Sequence, residues 1–143
     1  MYDVNDIAKY IINYCNINNL EITNLRLNKL LYFIQAHFLS AGAPIFEDDF
    51  EAWSYGPVIP DIYWKYRLFG SGNINLLSNN NYDIGSIEQE HLLEIDSVID
   101  ELKNISTYDL VDITHSQTPW IDSYEKFANN IISKDSIQEY FGE

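Results

Sequence analysis

The chain has 143 residues, 46% of them apolar and 15% aromatic, which suits one hydrophobic core and is too short for two ordinary domains. Eight basic residues face 22 acidic ones, a formal net charge of −14; this excludes generic binding to a phosphate backbone and leaves basic partners, duplex mimicry or plain solubility. The single cysteine, Cys15, excludes an internal disulfide framework, and no apolar run reaches the roughly 18 residues of a membrane span.

Asp3, with Asp6 three residues on, predicts the start of a first helix, in which Ile7, Ile11 and Tyr14 recur at helical spacing beside Tyr10 and Cys15. Asn16 to Asn19 breaks it. A second helix opens near Thr23 or Asn24, with Leu27, Leu30, Leu31, Ile34 and Phe38 as its apolar stripe and Arg26 and Lys29 beside that stripe. Gly42 and Pro44 end it. Phe50 to Tyr55 predicts a strand, followed by a turn at Gly56-Pro57. Pro60 then opens a helix that buries Ile62, Tyr63, Tyr66 and Phe69 and closes at Gly70.

Ser71 to Gly85 predicts a loop with a short strand over 74–77. Ser86 and Gln89 have capping-box spacing. The helix after them carries Leu92, Ile95, Val98, Ile99, Leu102 and Ile105 on one side, and Glu90, Glu94, Asp96, Asp100 and Glu101 on the other. Ser106 or Thr107 caps a helix with Leu110 and Ile113. Pro119-Trp120 begins a segment expected to bury Trp120, Ile121, Tyr124 and Phe127. Asn129 to Ile132 fits a short strand, and Ser133 caps a last helix with Ile137, Tyr140 and Phe141. The sum is a mainly α (α+β) protein. It forms a single compact domain, 1–143, with six or seven helices and a small β element around residues 50–55.

Recognisable chemistry is scarce. His37, His91 and His115 are far apart, so no metal site and no cofactor are expected. Cys15 lies on an apolar stripe and is expected to be buried rather than reactive. No Gly-x-Ser-x-Gly elbow, Walker loop or Gly-x-Gly-x-x-Gly is present. Asp109, Asp112 and His115 have i, i+3, i+6 spacing and form the nearest approach to a general acid/base set, but acids near a helix start also serve as caps. The chain is therefore expected not to be an enzyme. The first residues show no signal-peptide pattern, so the cytoplasm is the expected location.

Two surface features point to a protein partner. Residues 83–112 hold nine acids against Lys103 alone, over half the net charge. Glu90, Glu94, Asp100 and Glu101 are the candidate contacts on that helix, steering a basic protein. Trp53, Tyr55, Tyr63, Trp64, Tyr66 and Phe69 crowd one stretch, and periodicity places Trp64 away from the buried side, as a candidate interface anchor.

Three motifs carry a family resemblance. They are Leu25-Arg26-Leu27-Asn28-Lys29-Leu30-Leu31-Tyr32 running on to Gln35 and His37, Phe46-Glu47-Asp48-Asp49-Phe50-Glu51-Ala52-Trp53-Ser54-Tyr55-Gly56-Pro57-Val58-Ile59-Pro60 running on to Tyr63 and Tyr66, and Thr114-His115-Ser116-Gln117-Thr118-Pro119-Trp120. In this order and spacing the chain resembles the Panacea domain family, also called SocA-like or phage-associated GepA-like. That resemblance implies a non-enzymatic antitoxin, prophage- or mobile-element-encoded, that neutralises a cognate toxin by direct binding. The alternatives are an acidic phage inhibitor of a host defence effector, acting by nucleic-acid mimicry, and an adaptor for regulated proteolysis. Leu27, Lys29, Leu30, Tyr32, Gln35, Glu51, Trp53, Tyr55, Gly56, Pro57, Pro60, His115, Pro119 and Trp120 are the family-motif positions and are expected to be scaffold. Within that scaffold, Glu51 is expected to meet Arg26 or Lys29. The expected partner is a toxin or basic effector; direct nucleic-acid and membrane binding are not expected.

Overall fold

Most of the described segments pack around one central helix, α2. In the computed structural model, which describes residues 1–75 and 86–142, the first helix α1 spans Val4–Ile17 and α2 spans Asn24–Ser40. The hairpin strands β1 (Phe50–Trp53) and β2 (Gly56–Val58) follow, then α3 (Pro60–Tyr66) with a 3₁₀ turn at Arg67–Phe69. Next come α4 (Gln89–Leu102), α5 (Thr107–His115), the single turn α6 (Thr118–Ile121), β3 (Ile131–Ile132) and α7 (Lys134–Phe141). Among the described residues this gives seven α-helices and one antiparallel sheet of order β2-β1-β3, in a single compact domain.

The local starts follow side-chain chemistry. Asp3 accepts from the Asn5 N–H, Thr23 from Arg26, Ser106 from Asp109 and Ser133 from Ser136, each satisfying an orphan donor of a first helical turn. Pro60 occupies the first turn of α3, where its missing N–H costs nothing. The apolar stripe of α4 buries Leu92, Ile95, Val98 and Ile99, each contributing roughly 1.5–3 kcal/mol of hydrophobic stabilisation.

The α2 helix is enclosed rather than striped. Thirteen of its 17 residues are buried, because α1, α3, α4, α5, α7 and β2 pack around its circumference. Arg26 and Lys29 are therefore interior residues.

Several expectations are corrected. The hairpin turn is at Ser54-Tyr55, and Gly56 and Pro57 already belong to β2, paired with Trp53 and Ala52. Ser86 does not cap α4: Ile87 is drawn into the core, and the helix starts after Glu88, whose side chain makes no cap bond. Ile105 lies beyond the end of α4. Phe69, Ile121 and Tyr140 are exposed rather than core, because the short α3 with its 3₁₀ turn, α6 and α7 cannot keep one apolar face inside along their full length, and Phe127 is exposed because it stands in the turn between α6 and β3. The strand expected over 74–77 falls mostly outside the described residues; Ile74 itself is buried, and its N–H donates to the Ile22 carbonyl at 2.7 Å.

Candidate partner interface

The three motifs converge on the hairpin. Lys29 Nζ, fully buried, donates to the Pro57 carbonyl at 2.8 Å. Asn28 Oδ1 accepts from the Ile59 N–H at 3.0 Å. One turn on, the Tyr32 hydroxyl donates to Gln117 Oε1 at 2.8 Å. Gln35 brackets the chain before β1, donating to the Phe46 carbonyl (2.8 Å) and accepting from the Ile45 N–H (2.9 Å). Arg26 donates to the Leu102 and Ile105 carbonyls and to Thr107 Oγ1, closing the end of α4 and the start of α5. The polar residues of α2 thus satisfy backbone groups of the segments wrapped around it. Leu27, Leu30 and Pro119 fill the core between them.

Gln35→Ala leaves two buried backbone groups without partners. We expect a loss of about 2–4 kcal/mol in urea-unfolding free energy. A change below about 1 kcal/mol would show that water replaces the amide.

The outer side of the hairpin is aromatic. On β1, Phe50 and Ala52 face the core, while Glu51 and Trp53 face outward, as strand alternation requires. Glu51 accepts from Trp53 Nε1 at 2.9 Å, so it orients the indole and does not meet Arg26 or Lys29. Trp53 packs edge-on against Tyr63 and Trp64 of α3, at centroid distances of 5.0 and 6.4 Å. Trp120 Nε1 donates to the Trp53 carbonyl at 2.8 Å, and its ring lies between His115 (4.1 Å) and Tyr124 (4.6 Å). His115 Nε2 lies 2.9 Å from the Ser54 carbonyl; a carbonyl only accepts, so this nitrogen carries the proton. That bond holds the hairpin turn and presents Tyr55, 60% exposed, at its tip.

His115 is therefore committed to the hairpin and the indole stack, while Asp109 and Asp112 point to solvent. Among the described residues, no cluster of His, Cys, Asp or Glu has a geometry that would hold a metal ion. Cys15 is buried, and burial pushes its thiol up to about 11, away from the reactive thiolate.

The predicted partner-contact residues separate into two groups. Trp64 is 54% exposed, with the Arg67 guanidinium 5.1 Å from its ring and Leu68 almost wholly exposed one turn on. On α4, Glu90 and Glu101 are exposed. Glu94 lies 3.0 Å from His37 Nε2, and Asp100 accepts from the Tyr14 hydroxyl at 2.9 Å. Asp96 likewise accepts from Tyr10 at 2.5 Å. Part of the acidic face thus docks α4 onto α1 and α2. The sequence carries a signal for this: Tyr10 and Tyr14 share the i, i+4 spacing of Asp96 and Asp100.

The family described as "Antitoxin SocA-like, Panacea domain" matches residues 27–121, more than half of the chain. The chain belongs to this antitoxin SocA-like, Panacea family. The matched span runs from within α2 to the end of α6; it contains the second and third motifs whole and the first from Leu27 onward. Antitoxin SocA of Caulobacter vibrioides (strain NA1000 / CB15N) is 30% identical over 128 residues, covering 82% of this chain and 68% of that protein. No solved structure matches. Among the described residues, no helix of this Panacea protein is long and apolar enough to cross a membrane.

Proposed function

We propose that this chain is an antitoxin that neutralises a cognate protein toxin by direct contact, without catalysis. The observation that carries this reading is the kinship with an antitoxin over 82% of the chain. The geometry supports it: Lys29 and Asn28 bond backbone groups of the hairpin segment, and His115 bonds its turn. Beside it, α3 exposes Trp64, Arg67 and Leu68. Trp and Arg are enriched at binding hot spots. Glu90 and Glu101 add negative field for a basic partner, which chiefly speeds encounter. Glu94 and Asp100 contribute charge to the same face while held by His37 and Tyr14.

Co-expression with a candidate toxin tests this reading; the toxin arrests growth alone, and growth returns when this chain is present. Failure of rescue with every growth-arresting product of neighbouring genes would refute it. Trp64→Ala is expected to weaken toxin binding at least tenfold by calorimetry, while shifting unfolding free energy by less than about 1 kcal/mol. Equal affinity would remove α3 from the interface.

A further inference from the structure

The turn between α6 and β3 holds a residue that folding alone does not favour. Glu125, Lys126, Phe127 and Ala128 form a tight turn, closed by the Ala128 N–H donating to the Glu125 carbonyl at 3.1 Å. Phe127 sits at its third position with φ of +66°. Such turns take Gly or Asn there, because a Cβ is crowded at positive φ, and for a bulky side chain this is a genuine outlier. The only other non-glycine residue with positive φ among the described residues is Asn19, of a type that tolerates it. Phe127 also has no burial to offset the strain: it is 97% exposed, the most exposed of the large apolar residues among those described.

The turn is nevertheless braced on both sides. Leading into it, Tyr124 stacks on Trp120 at an interplanar angle of 16°, and its N–H donates to the Trp120 carbonyl. Leading out, Asn130 donates to the Ser123 carbonyl at 2.9 Å, and its own carbonyl accepts from the Ala52 N–H at 2.8 Å. The loop base is thus tied to β1 and to the indole stack, so the tip is held in place before any encounter. Lys126 places its ammonium 5.2 Å from the Phe127 ring centroid, a local cation on a chain of net charge −14.

We propose that Phe127 is a preformed anchor that inserts its ring into an apolar pocket of the partner, a basic protein with an acidic group on the pocket rim to meet Lys126. Strain retained at a solvent-exposed tip marks a functional position, and an aromatic ring held in its bound geometry loses little entropy on binding. The overall basic character follows from charge complementarity to this chain. The inference rests on the antitoxin reading and assigns it a second contact, reached from Trp64 through Trp53, Trp120 and Tyr124.

Phe127→Gly separates this role from a structural one, because it moves stability and binding in opposite directions. Glycine relieves the strain, so the full-length variant is expected to melt no lower than the wild type, and by a few degrees higher. Its affinity is expected to fall at least 30-fold. The probe is the purified protein that arrests growth when expressed alone and is tolerated beside this chain, titrated by calorimetry. Phe127→Asn, which also accepts positive φ, should match the glycine variant in both readouts. Unchanged affinity in both variants, with the wild type binding, overturns the anchor and leaves the antitoxin reading intact. Absence of wild-type binding to any such protein overturns the antitoxin reading and the anchor with it. A wild-type dimer in sedimentation that Phe127→Gly dissolves would make a second copy of this chain the occupant and overturn the proposal.

Discussion

Gly56→Ala is expected to cost about 4 kcal/mol or more, a large share of the 5–15 kcal/mol that holds a typical domain folded. Two effects add. Gly56 has φ of +108°, outside the range that any side chain adopts without strain. A Cβ built there would stand 2.6 Å from Lys29 Cε and 2.8 Å from Thr114 Oγ1. Neither neighbour has room to retreat. Lys29 is fully enclosed and tethered to the Pro57 carbonyl, and Thr114 donates to the Val111 carbonyl at 2.7 Å. Urea unfolding followed by circular dichroism measures the loss. A cost below about 1 kcal/mol would mean that β2 slides away from α2 and that the close approach is not obligatory. The loss should extend beyond the glycine itself, since β2, α2 and α5 meet at this point and position the turn that bears Tyr55.

The second large effect is a pH dependence centred on Lys29. Complete burial pushes its amine from the ordinary 10.5 down to about 7. Between those values the unfolded chain holds a proton on Lys29 that the folded chain has released. Folding stability contributed by this residue is therefore lowest below pH 7 and rises with pH through that interval, by on the order of 5 kcal/mol in full. Burial of Cys15, whose thiol is raised to about 11, acts in the opposite sense once the unfolded thiol starts to ionise near pH 9. Between pH 6 and 8.5, below that onset, the Lys29 contribution should rise by about 2 kcal/mol. Lys29→Met keeps the volume and has no proton to lose. The difference in unfolding free energy between wild type and Lys29→Met should shift by that amount across the window. A constant difference would show that the amine stays charged when buried.

Lys29 also explains why the motif reads as it does. Pro57 has no N–H, so the outer edge of β2 offers few donors, and Lys29 takes the Pro57 carbonyl that points off the sheet. Gly56 leaves space for the lysine stem. The Leu-x-Lys-Leu of α2 and the Tyr-Gly-Pro-Val of the hairpin are thus two halves of one contact, with Thr114 of the third motif against the same glycine.

Much of the architecture was legible along the chain. Asp3, Thr23, Ser106 and Ser133 mark helix starts, Pro60 marks another, and the stripe of α4 marks its buried side. All of these depend on neighbours within a turn or two, so local propensity and periodicity carry them. The family was legible too, because its motifs are short, dense and in order. The choice of partner for each buried polar group was not. Glu51 next to a basic helix suggests an ion pair, yet it orients Trp53, while Arg26 and Lys29 serve backbone carbonyls. Local spacing says that a polar side chain needs a partner; only the packing of distant segments around α2 decides which carbonyl or carboxyl arrives.

The surface shows the same division. Sequence alone determined that the chain is acidic, that α4 is amphipathic and that Trp64 lies off the apolar side of α3. It did not determine that Asp96 and Asp100 would be taken up by Tyr10 and Tyr14, since that depends on the register of two helices 86 residues apart. Nor did it determine that Phe127, placed by spacing among core residues, would stand exposed at a strained turn. Composition sets how much apolar surface there is to bury. Which apolar residue is left outside is settled by where the enclosing segments run out of length, and that is a property of the whole fold.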